Sequence, residues 1–401
     1  MLRSFSLLGL LLTSLSTFAA ETAPIVLGQS AAFTGASGQF GRQMWLGAQT
    51  YFDEVNRSGG INGRKVEVQV LDDQYNGELA EKNTQQFLKN KELFALFGFV
   101  GTPTLAKALP VLQKARTSGS SVFLFSNRSG AALQRSAPYD SFVLNMRASY
   151  AEETEELVKY LTKQGAKKIA IFIQDDSYGQ SGKDGVAAAL KRRGLTITAE
   201  AQYKHGAKFA ESMMDQAKAI VAAKPDAVIS IASYEPAAAF IRDFRSLKSE
   251  VSVANISFVG SSDMLLFLKS ESKTTKQDLT RNLVNSQVVP ALSDTKIPAI
   301  AEYIRLTEKN PVTIPASVSN GNEIRKLSFT GLEGFLNAKV FVAIAKKVEV
   351  PLTQASFLKS AESNAFDIGM GQPVKFQPKN NQAFHSVYLT KVVDGAFVKT
   401  E

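Results

Sequence analysis

Hydrophobic residues recur along this chain in two alternating patterns, one typical of buried strands and one of amphipathic helices. A β-branched run begins at Ile25, a glycine-rich turn follows, and Trp45, Phe52 and Val55 then lie at helical spacing. A second strand is expected at residues 65–71, after the turn GGINGRK. The order strand, helix, strand predicts a βαβ unit that opens a doubly wound α/β domain.

The same alternation continues, and it restarts after Asn145. Further strands are expected at residues 93–97, 122–125, 168–173, 196–202, 227–231, 256–260 and 283–289. Polar stretches at 269–278 and 311–326 predict loops, and residues 386–399 predict a terminal β-hairpin around Asp394-Gly395. Two arrays of similar build predict two doubly wound α/β lobes with mostly parallel sheets.

The N-terminus has the three regions of a secretory signal peptide in order. Arg3 precedes the apolar run LLGLLLTSL, and small residues then favour cleavage after Ala19, with cleavage after Ala20 as the alternative. The apolar run is shorter than the roughly 20 residues that a membrane-spanning helix needs. Residues 1–19 are therefore predicted to be a signal peptide. With no cysteine for a lipid anchor, the mature protein is expected to be soluble in a periplasm.

Length and charge narrow the function classes further. A chain of 401 residues is long for a single hydrophobic core and predicts two domains. The net charge of +9 comes from lysines and arginines scattered among acids, without a basic block. This pattern is typical of a solvated surface and does not favour nucleic-acid binding.

Motifs for catalysis, metal binding or cofactor binding are nearly absent. The two histidines, His205 and His385, lie far apart and lack the spacing of metal ligands. Gly35, Gly38 and Gly41 follow a predicted strand, but their spacing is GxxGxxG, so tight turning is favoured over nucleotide binding. No catalytic residue, metal or cofactor is predicted from these motifs.

Two pairs of acids at strand ends leave an alternative open. Asp72-Asp73 and Asp175-Asp176 have the residue type for a cation site or for acid–base catalysis. Neither pair has a suitable third ligand nearby in sequence. Turn and helix-cap roles are the preferred interpretation.

Polar and aromatic residues cluster just after the predicted strands, where open α/β sheets bind ligands. The candidate ligand-binding residues are Phe40, Thr102, Asn127, Arg128, Ser129, Tyr178, Tyr234, Ser262 and Asp263, with Thr104 beside them. Thr102 is expected to open one helix, and Ser129-Gly130 is a candidate to open another. Free N–H groups at such ends bind carboxylates, although ordinary N-capping explains hydroxyl residues there equally well.

Several segments resemble one family of solute receptors when they are taken together in their order. They are TGASGQFG, LFGFVGTPTLAKALP, FSNRSGAAL, IAIFIQDDSYGQSGKDG, DAVISIASYEPAAAFIRDFR, ISFVGSSDM and SFTGLEGFLNAKV. This order is similar to that of the leucine-isoleucine-valine binding proteins of ABC importers, of periplasmic binding protein type I. The resemblance implies two lobes joined by a three-segment hinge. Lobe one would comprise residues 24–145 plus 289–373, and lobe two 146–288 plus 374–401.

The resemblance also implies roles for single residues. The Thr102 hydroxyl and the Ser129 N–H match groups that hold a ligand carboxylate. The Asn127 carbonyl and the Ser129 hydroxyl match groups that hold an ammonium. Phe40 replaces an aromatic wall, and lobe-two aromatic residues, Tyr178 and Tyr234, align with residues that close over the ligand.

Three features depart from the family pattern. A first-lobe disulfide seen in some members is absent, with Tyr75 and Gly101 at those positions. Ser262 stands where amino-acid binders carry a glutamate for the ammonium, and the adjacent Asp263 is the candidate replacement. Glu235 and Glu333 are more distant candidates. Arg128 lies inside the ligand loop, where it either binds an anion bidentately or faces solvent.

The resemblance implies an exported substrate-binding component of an ABC importer, and not an enzyme. The expected ligand is a small carboxylate-bearing solute, with a branched-chain amino acid favoured. The expected partner is a permease in the inner membrane, and the receptor is expected to be a monomer. The alternatives are a sensor that feeds a membrane signalling receptor, a binder of a non-amino-acid carboxylate or amide, and an enzyme.

Overall fold

A computed structural model describes residues 23–349, 351–377 and 381–400. The predicted signal peptide and its cleavage site lie outside the described residues. No helix in these three ranges is long and apolar enough to cross a membrane.

One lobe is built on a parallel five-stranded sheet of order β2-β1-β3-β4-β5. Its strands are β1 (Ile25–Ala31), β2 (Val66–Asp72), β3 (Leu93–Val100), β4 (Leu124–Arg128) and β5 (Val143–Leu144). The central strand β3, LFALFGFV, is buried along its whole length, as expected for a parallel sheet covered by helices on both faces.

Helices from both ends of the sequence cover this first sheet. They are α1 (Gly38–Arg57), α2 (Gly77–Lys89), α3 (Thr102–Thr117), α9 (Pro298–Lys309), α10 (Ala316–Ser319), α11 (Phe329–Lys347) and α12 (Gln354–Ser363). Helices α1 and α11 pack closely because glycines face the contact. A Cβ atom added to Gly47 would lie 1.8 Å from the carbonyl oxygen of Gly331.

The other lobe contains a seven-stranded sheet of order β12-β11-β10-β9-β8-β6-β7. Its strands are β6 (Ile169–Gln174), β7 (Ile197–Tyr203), β8 (Ala227–Ile231), β9 (Ser252–Asn255), β10 (Leu283–Gln287), β11 (Tyr388–Val393) and β12 (Ala396–Lys399). Its helices are α4 (Tyr150–Lys163), α5 (Ser177–Lys191), α6 (Met214–Ala222), α7 (Tyr234–Ser246) and α8 (Ser261–Thr275). Strands β6 to β10 pair in parallel, and the terminal hairpin adds two antiparallel strands. The predicted α/β class, the two lobes and the hairpin are confirmed.

The chain passes between the lobes near Asn145 and Met146. Asn145 N–H donates to the carbonyl of Asn381 over 2.6 Å, and Phe384 N–H donates to the carbonyl of Met146 over 3.0 Å. The domain boundaries remain a proposal. These hydrogen bonds favour a third crossing near residues 381–384, a few residues after the position expected from the sequence.

Three local predictions are wrong, for identifiable reasons. The expected strand at 256–260 is a 3-10 turn at Ser257–Val259, which follows β9 and ends at Gly260 in the left-handed region, with φ of 72°. The expected loop at 269–278 is largely the solvated second half of α8, which is anchored by buried Leu268. The strand expected at 122–125 lies at 124–128. It therefore includes Ser126, Asn127 and Arg128, which are buried within the sheet.

Candidate functional site

The candidate residues lie where the strands of both sheets end and the next helices begin. Thr102 is the first residue of α3, after β3, and Arg128 is the last residue of β4. On the second lobe, Tyr178 is the second residue of α5, after β6, and Tyr234 is the first residue of α7, after β8. The two carboxyl edges face each other, which is the expected position of a ligand crevice in α/β folds.

A cluster of three hydroxyl groups lies at the start of α3. Thr102 Oγ1 lies 2.8 Å from Ser129 Oγ and 3.4 Å from the Tyr150 hydroxyl, which belongs to the other lobe. Gly101, with φ of 108°, precedes the helix, and no side chain caps it. The first N–H groups of α3 therefore have no side-chain acceptor, and they can bind a carboxylate oxygen.

The neighbouring hydroxyl residue, Thr104, does not join this cluster. Its Oγ1 donates to the carbonyl of Gly101, the residue just before α3, over 2.9 Å. Its role is structural. The predicted helix after Ser129 is absent as well, because the described chain forms only a 3-10 turn at Leu133–Arg135; the Ser129 hydroxyl instead accepts from Ala131 N–H over 3.3 Å.

The side chain of Phe258 fills the centre of the crevice. Its ring centroid lies 5.0 Å from that of Phe40, 4.6 Å from that of Tyr178 and 6.0 Å from that of Tyr75. Phe258 is 0% exposed. Phe40 and Tyr75 belong to the first lobe, so this lobe-two ring sits in an aromatic box made by both lobes. We call Phe40, Tyr75 and Tyr178 the aromatic box.

The guanidinium of Arg128 packs on the rings of Phe40 and Phe258 and so contacts both lobes. Its guanidinium carbon lies 4.4 Å from the Phe40 ring centroid and 4.7 Å from that of Phe258. Its Nη1 donates to the Phe258 carbonyl over 3.1 Å, and its Nη2 donates to the Ser257 carbonyl over 3.2 Å. The side chain is 2% exposed, so the interpretation that Arg128 faces solvent is wrong. Burial lowers its pKa, which the carboxylate of Glu333 opposes.

Arg128 belongs to a buried network of charged side chains. Glu333 Oε2 lies 3.6 Å from Arg128 Nε, and its Oε1 lies 3.5 Å from Arg147 Nη1. Arg147 Nη2 donates to Glu153 over 3.2 Å. Glu153 also accepts from Ser257 N–H over 2.7 Å. Although burial alone lowers the pKa of Arg147, Glu333 and Glu153 raise it overall. The network holds the turn that carries Phe258.

Asp263 is occupied by partners from the first lobe. Gln43 Nε2 donates to its two oxygens over 3.0 and 2.8 Å, and Arg325 Nε lies 3.5 Å away. Burial raises the pKa of Asp263, although these partners act against the shift. The carboxylate therefore joins the lobes. Ser262 is half-buried and lines a separate groove with Leu266 and Lys269.

The other candidates face the crevice with their rings or serve the hinge. The Tyr178 hydroxyl donates to the Ala232 carbonyl over 3.3 Å. The ring of Tyr234 packs edge-on against Phe40 at 5.0 Å. The Asn127 side chain turns toward the crossing and donates to Asn145 Oδ1 over 2.8 Å. Of the Asn127 groups, only its backbone carbonyl is left as a candidate for ligand binding.

Three of the four paired acids, Asp72, Asp73 and Asp176, have the turn and cap roles preferred from the sequence. Asp72 accepts from Phe33 N–H over 2.8 Å, and Asp73 accepts from Tyr75 N–H over 2.9 Å. Asp176 caps α5 by accepting from Tyr178 N–H over 2.8 Å. Within the described ranges, no group of three or more histidine, cysteine or acidic residues is arranged to hold a metal ion.

His205, which follows β7 of the second lobe, contacts the first lobe. Its ring stacks on Tyr75 of the other lobe, with centroids 4.6 Å apart and planes 19° apart. Its Nδ1 lies 3.0 Å from Asp176 Oδ2, and its side chain is 33% exposed. The histidine therefore contributes to the contact between the lobes at the rim of the crevice.

Comparison with known proteins agrees with this two-lobed arrangement. A family model described as periplasmic binding protein matches residues 24–396. The chain belongs to the periplasmic binding protein family. A possible leucine/isoleucine/valine-binding protein from Rhodopirellula baltica shares 27% identity with a TM-score of 0.83, covering 96% of this chain and 98% of that one. A substrate-binding periplasmic protein from Ralstonia solanacearum shares 26% identity with a TM-score of 0.80, covering 94% of this chain and 100% of that one.

A relative known from sequence matches this periplasmic binding protein over a shorter stretch. A Leu/Ile/Val-binding protein of Rhizobium johnstonii is 29% identical over 188 residues, which cover 46% of this chain and 49% of the relative. The match thus spans about half the length of that curated relative. The sequence-based identification of the leucine-isoleucine-valine binding family is confirmed.

Sequence reasoning missed four residues of this site, namely Tyr75, Arg147, Tyr150 and Phe258. It named Glu333 only as a distant candidate for an ammonium group and not as the partner of Arg128. Phe258 was missed because the hydrophobic run around it is equally typical of a strand. Tyr150 was missed because it precedes the acids that mark the start of α4 and is equally typical of that helix. One signal was present. Gly260 after SFV is a residue that tolerates the left-handed conformation needed to end the turn.

Proposed function

We propose that this periplasmic binding protein is the exported solute-binding component of an ABC importer. It captures a small carboxylate-bearing solute between its lobes and delivers it to a permease in the inner membrane. The single observation that carries this proposal is the hydroxyl cluster of Thr102, Ser129 and Tyr150 at the uncapped start of α3. The cluster draws on both lobes, so a carboxylate held there favours the closed clamp.

The class of solute is the open part of the proposal. The name of the Rhizobium johnstonii relative supports a branched-chain amino acid. An ammonium group needs an acceptor, and Asp263 is already bound by Gln43 and Arg325. This occupation supports the alternative, a carboxylate without an ammonium group, because a buried unpaired charge is costly.

We propose a periplasmic location, a monomer, reversible 1:1 binding and no turnover. The family assignment and the predicted signal peptide support the location. The absence of a catalytic motif in the sequence supports binding without chemistry. A sensor that uses the same clamp is the alternative partner arrangement, and pull-down from membranes distinguishes a permease from a signalling receptor.

A thermal-shift screen tests the proposal. The protein is unfolded and refolded to remove carried-over solute, then heated with amino acids, simple carboxylates and the matching amides. A solute that binds only the native state raises the melting temperature by mass action. We expect carboxylates to raise it and their amides to do so far less.

Two threonine variants sharpen this screen. Thr102→Val removes a hydroxyl of the cluster and should reduce the shift caused by the best carboxylate. The matched control is Thr84→Val, because Thr84 is buried and bonds only within α2, to the Ala80 carbonyl over 2.7 Å. Equal shifts in both variants, or no shift with any carboxylate, would count against the proposed carboxylate site.

A further inference from the structure

The aromatic box and Arg128 bind a fragment of the protein itself. Phe258 presents a ring to Phe40, Tyr75 and Tyr178, and it presents its carbonyl oxygen to Arg128. Ring and carbonyl of one phenylalanine residue are separated by two carbon atoms, as in 3-phenylpropanoate. The site that faces Phe258 is thus complementary to a planar ring joined to an oxygen acceptor.

This position coincides with the crevice in which the proposed function places the solute. Tyr150, which lies 3.4 Å from Thr102, has its ring centroid 5.5 Å from that of Tyr178, the neighbour of Phe258. The hydroxyl cluster and the aromatic box are therefore adjacent. A solute whose ring takes the place of the Phe258 ring would have its carboxylate at Arg128. It would thus lie in the same crevice, with the carboxylate beside the start of α3 and not on it.

We propose that Phe258 occupies the solute site as a built-in substitute, and that the solute is an aromatic carboxylate whose ring replaces the ring of Phe258. This inference rests on the proposed function and names its solute class. Phe258 then determines specificity, because a solute must displace it and must match its shape.

The electrostatics of Arg128 select the same class of solute. When the turn at Ser257–Val259 moves away, Arg128 loses two carbonyl acceptors at once. Its remaining neighbours are Thr330 Oγ1 at 3.2 Å and Glu333 at 3.6 Å. A buried guanidinium needs replacement acceptors, and a carboxylate supplies two oxygens in the geometry that a guanidinium binds.

The ring of the solute also has a specific environment. The Phe258 ring lies under the guanidinium and between three aromatic rings. Cation–π attraction and ring–ring contacts require a π-face, which a saturated ring lacks. A planar ring should therefore bind better than a cyclohexyl ring of similar bulk.

Calorimetric titration of the refolded full chain tests the inference with three probes: 3-phenylpropanoate, 3-cyclohexylpropanoate and L-leucine. We expect 3-phenylpropanoate to bind at least about tenfold more tightly than either other probe. Arg128→Lys should weaken 3-phenylpropanoate binding, because lysine lacks the planar fork.

Shortening Phe258 separates displacement from simple structural support. If the solute replaces the ring, Phe258→Ala should bind 3-phenylpropanoate about tenfold more tightly than the wild type. Phe258→Leu, which retains more volume, serves if the alanine variant does not fold. The control is Phe244→Ala, which removes a buried lobe-two ring that stacks on Phe240 at 5.2 Å, and it should leave affinity unchanged.

The outcomes distinguish this inference from the proposed function. Binding of L-leucine with no binding of 3-phenylpropanoate would refute the aromatic class and leave solute capture standing. Weaker binding of 3-phenylpropanoate by both Phe258 variants would refute displacement. No response to any probe in wild type and variants would refute the inference, and the wider thermal-shift screen would then decide the proposed function separately.

Discussion

Glu153 should be one of the residues on which the stability of this protein depends most. It is 0% exposed, and it accepts from Arg147 over 3.2 Å, from Ser257 N–H over 2.7 Å and from the Ser286 hydroxyl over 2.6 Å. Glu153→Gln keeps the shape but removes the charge. It also places an amide donor among three donors, so at least one of them loses its acceptor.

The expected cost follows from these contacts. Removing one partner of a buried ion pair destabilises a protein by about 3–5 kcal/mol, because the other charge remains buried. Arg147 retains Glu333, but at 3.5 Å, so we expect a loss of about 3 kcal/mol. With a urea dependence of about 2–3 kcal/mol per molar, the unfolding midpoint should fall by about 1 M.

Urea unfolding followed by circular dichroism provides the measurement. The matched control is Glu156→Gln on the same helix, because Glu156 is 39% exposed and pairs only with Lys159 in an i,i+3 surface contact. Such a pair contributes about 0–1 kcal/mol. A loss below about 1 kcal/mol for Glu153→Gln, or equal losses in the two variants, would refute the reasoning.

Three further predictions use the same unfolding and scattering methods. Burial raises the pKa of Asp73 to about 7, above its unfolded value, so the free energy of unfolding should decrease as the pH rises from about 4 to about 7. Over this range Asp73→Asn should become more stable than the wild type, by up to about 4 kcal/mol. The control is Asp226→Asn, which should show the opposite trend because backbone N–H donors lower the pKa of Asp226. His205→Ala removes an interlobe stack on Tyr75 of about 0.5–1.5 kcal/mol and should increase the radius of gyration in small-angle scattering; an unchanged radius contradicts it. Gly47→Ala forces α1 away from the facing carbonyl and should cost more than about 2 kcal/mol; a smaller loss would mean that the helices separate easily.

Sequence patterns predicted most of the regular structure because most of the strands are fully buried. Runs such as LFALFGFV leave little ambiguity when polar turns bound them. The pattern failed where burial had another cause. Residues 256–259 are hydrophobic because they fill the space between the lobes, and no periodicity separates that cause from burial in a sheet.

The sequence predicted where the candidate site lies in the fold, but not which residues its side chains contact. Thr102, Arg128 and Tyr178 lie at strand ends, and a local sequence rule finds such residues. The contacts of Arg128 join residues as far apart as 128, 258 and 333. Nothing in the spacing of these residues indicates that Glu333 lies next to a strand that ends two hundred residues earlier, since only the assembled lobes bring them together.

The packing of α1 against α11 has a consequence for the time at which this protein can fold. Helix α1 ends at Arg57, but its partner begins at Phe329. The second sheet likewise adds its outer strands only at residues 388–399. During synthesis, neither hydrophobic core can be completed until most of the chain has left the ribosome, since contacts this distant in sequence form late. Late folding of this kind would suit the export that the proposed function requires, because a chain that is still unfolded can pass through a narrow channel.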